Sequence, residues 1–317
     1  MNTMSHSSRI LGGLYGSLVG DALGVPVEFQ PRSERQRDPV IDLRAYGTHG
    51  QPKGTWSDDG ALLLCSLESL VEMGFDPQDM GERFVRWSER GLWAAHGTVF
   101  DIGIATSAAL RRIRQGTPAE KAGGAGQYDN GNGSLMRILP VVLAGLAEPT
   151  ERLAEQLQRA SAITHRHPRS QMACVLFGLV VRRLTQDQSP LDALQSARAS
   201  FEVLFGNHPE LSTFRDLLSA DLASWPETEI RSSGYVMDTL TASLWCLLTT
   251  ASFAECVLKA VNLGDDTDTT GCVAGGLAGV YYGVEAIPPA WLASLPRQED
   301  LRSLFVGFLG RDQSRSP

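Results

Sequence analysis

"TTGCVAGGLAGVYYG" (residues 269–283) has the apolar content of a helix and an unusual number of residues that weaken one. Gly271, Gly275, Gly279 and Gly283 recur every four positions. Each interior glycine costs about 0.8–1.0 kcal/mol relative to alanine, so four cost roughly 3 kcal/mol. Something must offset that loss. Residues four apart share one helix face, and a face without side chains lets another backbone come close. A second stripe, Gly12, Gly16, Gly20 and Gly24, lies in "GGLYGSLVGDALG" (12–24). Both helices are expected to be central and to touch. That packing would bring Asp21 and Glu28 near the acidic stretch that opens the late helix.

Outward from these two segments the periodicity stays helical. Helices are predicted over 8–24, 60–73, 78–90, 102–115, 134–147, 150–163, 169–185, 190–204, 212–223, 235–249, 252–262 and 269–283. "VIDLRAY" (40–46) is the best short strand candidate and does not support a sheet. The expected fold is all-α, a compact single-domain orthogonal helical bundle. No break has the look of an interdomain linker, so residues 1–317 are read as one domain, ordered over about 8–310, with "RDQSRSP" fraying.

Apolar residues make up 43% of the chain and charged residues 20%, which suits a folded core rather than disorder. A net charge of −8 argues against nucleic acid as the main partner. The five cysteines are scattered and odd in number, as expected of buried thiols in a reducing compartment. The start lacks the pattern of a signal peptide, and the apolar run 269–283 is too short to span a bilayer. The chain is read as cytoplasmic, soluble and monomeric.

Two acidic knots stand before helices: "GTWSDDG" (54–60) and "NLGDDTDTTG" (262–271). As an EF-hand loop the second fails, because its twelfth position is Leu277 rather than glutamate. As a phosphatase DxDxT motif it follows a helix-like run where a strand is required. Ser, Thr and Asp also cap helices, but a cap needs one such residue and here three aspartates occupy four positions. Carboxylates of Asp266 and Asp268 with the Thr269 hydroxyl, facing Ser57, Asp58 and Asp59, would offer oxygen ligands to hard divalent cations. Three weaker features accompany them. "DNGNGSLMR" (129–137) is either a plain turn or a loop whose N–H groups receive an anion. "THRHP" (164–168) holds two of the six histidines, which are structural or functional. Asp101 in "TVFDIGIATSAALRR" either caps the next helix or acts in the site.

Together, "GGLYGSLVGDALGVPVEF", "GTWSDDGALLLCSLESL", "FDIGIATSAAL", "NGNGSLMRILPV", "ITHRHPRS", "SGYVMDTLTASLWCLL" and "NLGDDTDTTGCVAGGLAGVYYG" resemble the ADP-ribosylglycohydrolase family, including the dinitrogenase-reductase-activating glycohydrolases. The resemblance runs in order along nearly the whole chain. It implies an all-α fold with two divalent metal ions, Mg²⁺ or Mn²⁺, in a cleft. It also implies hydrolysis at the anomeric carbon of an ADP-ribosyl group on a protein or small molecule. By matching position it implies Ser57, Asp58, Asp59, Asp266, Asp268 and Thr269 as metal ligands, and Glu28 and Asp101 as acidic residues beside the reacting ribose. Asn132, Gly133 and Ser134 match the loop around the diphosphate; His165 and Tyr235 match other cleft residues.

Three departures stand out. Ser57 replaces the more common threonine, Ile104 stands where arginine-directed relatives carry a polar residue, and Asp265 stands where glycine is frequent. They leave the metal set intact and leave the acceptor open between arginine, serine, a nucleobase or a free adduct. The family also includes lens crystallins, so a non-catalytic ADP-ribose-binding or structural relative is the competing expectation.

Overall fold

The computed structural model describes residues 4–313, and every long element among them is an α-helix. In chain order these are α1 (His6–Gly24), α2 (Arg32–Arg37), α3 (Asp58–Glu72), α4 (Pro77–Arg90), α5 (Ile104–Arg114) and α6 (Ala119–Ala122). There follow α7 (Leu139–Ala144), α8 (Thr150–Ala162), α9 (Pro168–Leu184), α10 (Pro190–Phe205) and α11 (Arg215–Ser219). The last five are α12 (Val236–Leu248), α13 (Phe253–Val261), α14 (Thr267–Tyr282), α15 (Pro289–Ser294) and α16 (Gln298–Gln313).

The glycine stripes of α1 and α14 lie face to face and antiparallel. A Cβ added to Gly12 would sit 2.1 Å from the Gly279 carbonyl oxygen, one on Gly16 2.3 Å from that of Gly275, and one on Gly20 2.0 Å from that of Gly271. The backbones are therefore in direct contact, and dispersion over this interface offsets the poor helix propensity. Both helices are buried along nearly their whole length. Around the pair, α14 packs on α12 and α13, α9 on α8 and α10, and α3 on α4 and α16. One continuous core holds them together. Residues 6–27 are long and apolar enough to cross a bilayer, but 89% of the most apolar 18-residue stretch within them is buried inside the protein, as befits a central core helix.

Several expectations are corrected. "VIDLRAY" forms no strand: the chain bends there, with the Asp42 carboxylate accepting from the Trp291 indole N–H at 2.6 Å. The helix expected over 134–147 starts only at Leu139, where Pro140 suits a first turn and disfavours any earlier start. The span 212–223 breaks into a 3₁₀ turn (Pro209–Phe214), α11 and a second 3₁₀ turn (Leu222–Ser224). The helices α2, α6, α15 and α16 were not expected. Arg311–Gln313, expected to fray, close α16; 314–317 and 1–3 lie outside the described residues.

Candidate active site

Both acidic knots sit at helix N-termini, and capping accounts for only one side chain. Ser57 caps α3, its Oγ accepting from the Asp59 N–H at 3.2 Å. Asp266 is the N-cap of α14 yet makes no side-chain capping bond. The knots meet: the Thr269 hydroxyl donates to Asp59 Oδ1 at 3.4 Å across 210 positions of sequence. The packing of α1 on α14 explains why. Asp21, on the last turn of α1, accepts from the Ser57 N–H at 2.9 Å and the Gly60 N–H at 2.8 Å, pinning the start of α3 beside α14. Thr267 Oγ1 donates to the Gly24 carbonyl at 2.8 Å, tying the other end of the turn to α1.

Carboxylate oxygens of Glu28, Asp266 and Asp268 lie within 4.8 Å of one another, and so do ligand atoms of Glu28, His49 and Asp101. Glu28, Asp58, Asp59, Asp101, Asp266 and Thr269 line one cleft of about 410 Å³, within the range of small-molecule sites. No lysine or arginine is among its lining residues. Burial, and then mutual repulsion, pushes Asp58, Asp59 and Asp268 well above the usual carboxylate range. Burial likewise raises Asp266, and raises Asp21 and Glu28 to about 7. Asp59 Oδ2, Asp266 Oδ1 and Asp268 Oδ2 are buried without any hydrogen-bond partner. Orphaned carboxylate oxygens with no cation nearby are expensive. All three face the chemistry that a hard divalent cation supplies, so the donor set fits such ions.

Asp101 does not cap α5. The N-cap is Gly103, without a side-chain bond, and Asp101 adopts φ 54° on the cleft wall. Phe29 (φ 64°) and Asp265 (φ 58°) share this left-handed conformation on either side of Glu28's strand of contacts, where Phe29 N–H donates to the Asp265 carbonyl at 2.7 Å. Strain gathered in one place is common at functional sites.

The remaining expected residues divide. Asn132, Gly133 and His165 line the cleft. The Asn132 side chain donates to Asp266 Oδ2 at 2.7 Å and so orients that carboxylate. Ser134 is fully buried, and its hydroxyl turns inward to Ser161 Oγ at 2.8 Å. Tyr235 stands behind the wall; its hydroxyl accepts from Arg169 at 3.0 Å, and its backbone bridges Gly131.

One residue escaped the sequence reading. His49, in a loop of positive-φ residues, donates from Nε2 to Glu28 Oε2 at 2.5 Å, and its ring packs between Phe29 and Phe100. The loop is docked on the Glu28 segment by Thr48 Oγ1, which donates to the Glu28 carbonyl at 2.8 Å. A histidine in "GTHG", just before an acidic knot, was the only available signal.

Known proteins resemble this chain in sequence and in fold. The family model described as ADP-ribosylglycohydrolase matches residues 2–317. The ADP-ribosylarginine hydrolase Tri1 of Pseudomonas putida (strain GB-1) is 32% identical over 305 residues, covering 93% of this chain and 76% of that protein. The ADP-ribosyl-[dinitrogen reductase] glycohydrolase of Rhodospirillum rubrum is 31% identical, covering 93% and 92%. A solved structure titled "ADP-ribosylglycohydrolase-related protein complex" superposes with a TM-score of 0.80 at 34% identity, covering 96% of this chain and 97% of the other. With a cleft of this chemistry at the meeting of the two glycine-striped helices, the chain belongs to the ADP-ribosylglycohydrolase family.

Proposed function

We propose that the protein is a metal-dependent hydrolase that cleaves the glycosidic bond between ADP-ribose and an acceptor, reversing ADP-ribosylation. The observation that carries this reading is the gathering of three partnerless buried carboxylate oxygens in a chain of this family: those of Asp59 and Asp266 on the cleft wall, and that of Asp268, whose carboxylate lies within 4.8 Å of those of Glu28 and Asp266. Ser57, Asp58, Asp59, Asp266, Asp268 and Thr269 would hold two divalent ions, Mg²⁺ or Mn²⁺. When bound, such ions supply positive charge that orients ribose hydroxyls and favours deprotonation of water. The chain's own residues do the rest. Glu28, held by His49, orients the attacking water on one side of the anomeric carbon. Asp101 faces the leaving group, where its carboxylate pairs with a guanidinium or stabilises developing oxocarbenium charge. Asn132 and Asp21 keep the ligand carboxylates in place. The usual carboxylate-separation rule for glycosidases does not apply, because the ions alter the geometry.

The acceptor is proposed to be an arginine side chain, as the names of the Tri1 and dinitrogen reductase relatives suggest. Release of ADP-ribose from arginine-, serine- and nucleobase-linked substrates, assayed in parallel with Mg²⁺ or Mn²⁺, tests this. Turnover of the arginine adduct alone is the expected result. No turnover of any adduct, with ADP-ribose still raising the melting temperature, would instead establish a non-catalytic binder. On the active substrate, Asp101→Asn is expected to lower kcat about 10²-fold, the low end for a positioned acid–base group. The metal-induced rise in melting temperature should be unchanged, and a kcat within twofold of the parent would remove Asp101 from the reaction.

A further inference from the structure

Behind the Asn132–Ser134 loop lies a buried guanidinium without an ion-pair partner. Arg137 is 1% exposed, and no carboxylate among the described residues pairs with it. It packs over the Phe84 ring at 4.6 Å and donates to the Ala160 carbonyl at 3.1 Å and to Thr164 Oγ1 at 2.8 Å. Thr164 Oγ1 lies in turn 2.9 Å from His165 Nδ1.

The direction of the protons follows from the donor inventory. Arginine only donates. The Thr164 oxygen therefore accepts from Arg137, and the hydroxyl keeps one proton to place. Its one other partner is His165 Nδ1. Were Nδ1 protonated, two N–H groups would point at one oxygen, and the hydroxyl proton would be buried without an acceptor. Nδ1 must accept, so the imidazole proton sits on Nε2. Burial and the Arg137 charge keep the ring neutral, its pKa lowered to about 3. Nε2 makes no hydrogen bond within the protein, and His165 lines the cleft. The ring edge rests against the glycine loop: a Cβ on Gly133 would fall 2.6 Å from Cε1, and one on Gly131 3.4 Å from Nε2.

We propose that Arg137 and Thr164 are positioning residues that lock His165 in its Nε2–H form, giving the cleft a permanent neutral donor for a phosphate oxygen of the substrate. The ligand half rests on the ADP-ribose reading above; the tautomer half does not. Because the donor carries no charge of its own, it adds direction without competing with divalent ions for the acidic side of the cleft. The Thr164 hydroxyl occupies Nδ1, so the ring presents the cleft with a donor and no free base.

The test combines long-range ¹H–¹⁵N NMR of the imidazole with calorimetric titration of ADP-ribose and inorganic pyrophosphate, using Mg²⁺-loaded protein. The parent protein should show His165 protonated at Nε2 and bare at Nδ1, unchanged between pH 6 and 8. Thr164→Val, close in shape, should lose that signature and bind both probes about tenfold more weakly, the scale of one hydrogen bond. Thr164→Ser should restore both. An imidazolium or an Nδ1–H form in the parent protein would overturn the proposal. So would a Thr164→Val protein with the parent's signature and affinity. If the parent binds neither probe while the Nε2–H signature stands, the phosphate assignment falls and the lock alone survives.

Discussion

Asp268→Asn is expected to stabilise the metal-free protein while erasing its response to Mg²⁺ and Mn²⁺, with hydrolysis reduced about 10³-fold, the several kcal/mol that bound cations contribute to a charged transition state. The opposite signs have one cause. In the metal-free cleft Asp268 is buried beside Glu28, Asp59, Asp266 and Asp21, and burial followed by these charges drives its pKa well up. One of its oxygens has no partner. Asparagine keeps the shape and the oxygen that accepts from the Thr269 N–H at 2.8 Å, and removes the repulsion. The same charge is what a cation needs. Melting curves of parent and variant, each with EDTA and with Mg²⁺, read both effects. A variant less stable than the parent in EDTA, or one still stabilised by Mg²⁺, would show that the carboxylate serves the fold and not an ion.

The cluster also sets the pH dependence of the metal-free protein. Burial raises Asp21 and Glu28 to about 7 in the fold, against about 4 in the unfolded chain. Between those values the folded state binds more protons than the unfolded one. Stability is therefore fully present near pH 4 and is lost as pH rises toward 7. Divalent ions favour the ionised carboxylates and should flatten the slope. Melting temperatures at pH 5, 6 and 7 in EDTA should fall in that order, and a rise with pH would contradict the burial of uncompensated carboxylates.

What was legible in the chain is what repeats locally. The glycine stripes carry their meaning in a four-residue period, and the acidic knots crowd like charges into a few positions that only an external cation relieves. Both features survive without knowledge of the neighbours. His49 does not: its role exists only because Thr48 and Gly47 dock that loop against Pro26 and Glu28, about twenty positions away. The glycine stripes do imply that Asp21 lies near the late acidic stretch, but not its grip on the start of α3, and nothing local turns the Ser134 hydroxyl to Ser161. In α16, Leu301, Leu304, Phe305 and Phe308 form a short apolar stripe among exposed charges, and α3 supplies the apolar surface that α16 covers. Local pattern specifies elements and charge clusters; the direction in which a polar side chain turns is decided by its tertiary partners.

Gly275→Ala is expected to destabilise the protein by about 3 kcal/mol or more, at the upper end of overpacking costs. Helix propensity alone points the other way, since alanine is favoured by about 1 kcal/mol in a helix interior. Geometry decides the sign. The new Cβ would lie 2.1 Å from the Gly16 carbonyl oxygen, well inside any non-bonded approach, and that atom is backbone. No rotamer can relieve the contact, so α1 and α14 must separate along an interface that is buried on both sides. The separation would reach the site as well, because α1 positions Asp21 and α14 carries Asp268. Divalent ions should therefore bind more weakly to any variant that still folds. Gly310→Ala supplies the matched control: it lies in α16, where an added Cβ meets nothing within 4 Å, and should stabilise the protein by up to about 1 kcal/mol. Chemical denaturation of the two variants beside the parent reads both signs. If Gly275→Ala matched Gly310→Ala, the two striped helices would not be in backbone contact, and the route by which distant aspartates are brought to one cleft would have to be another.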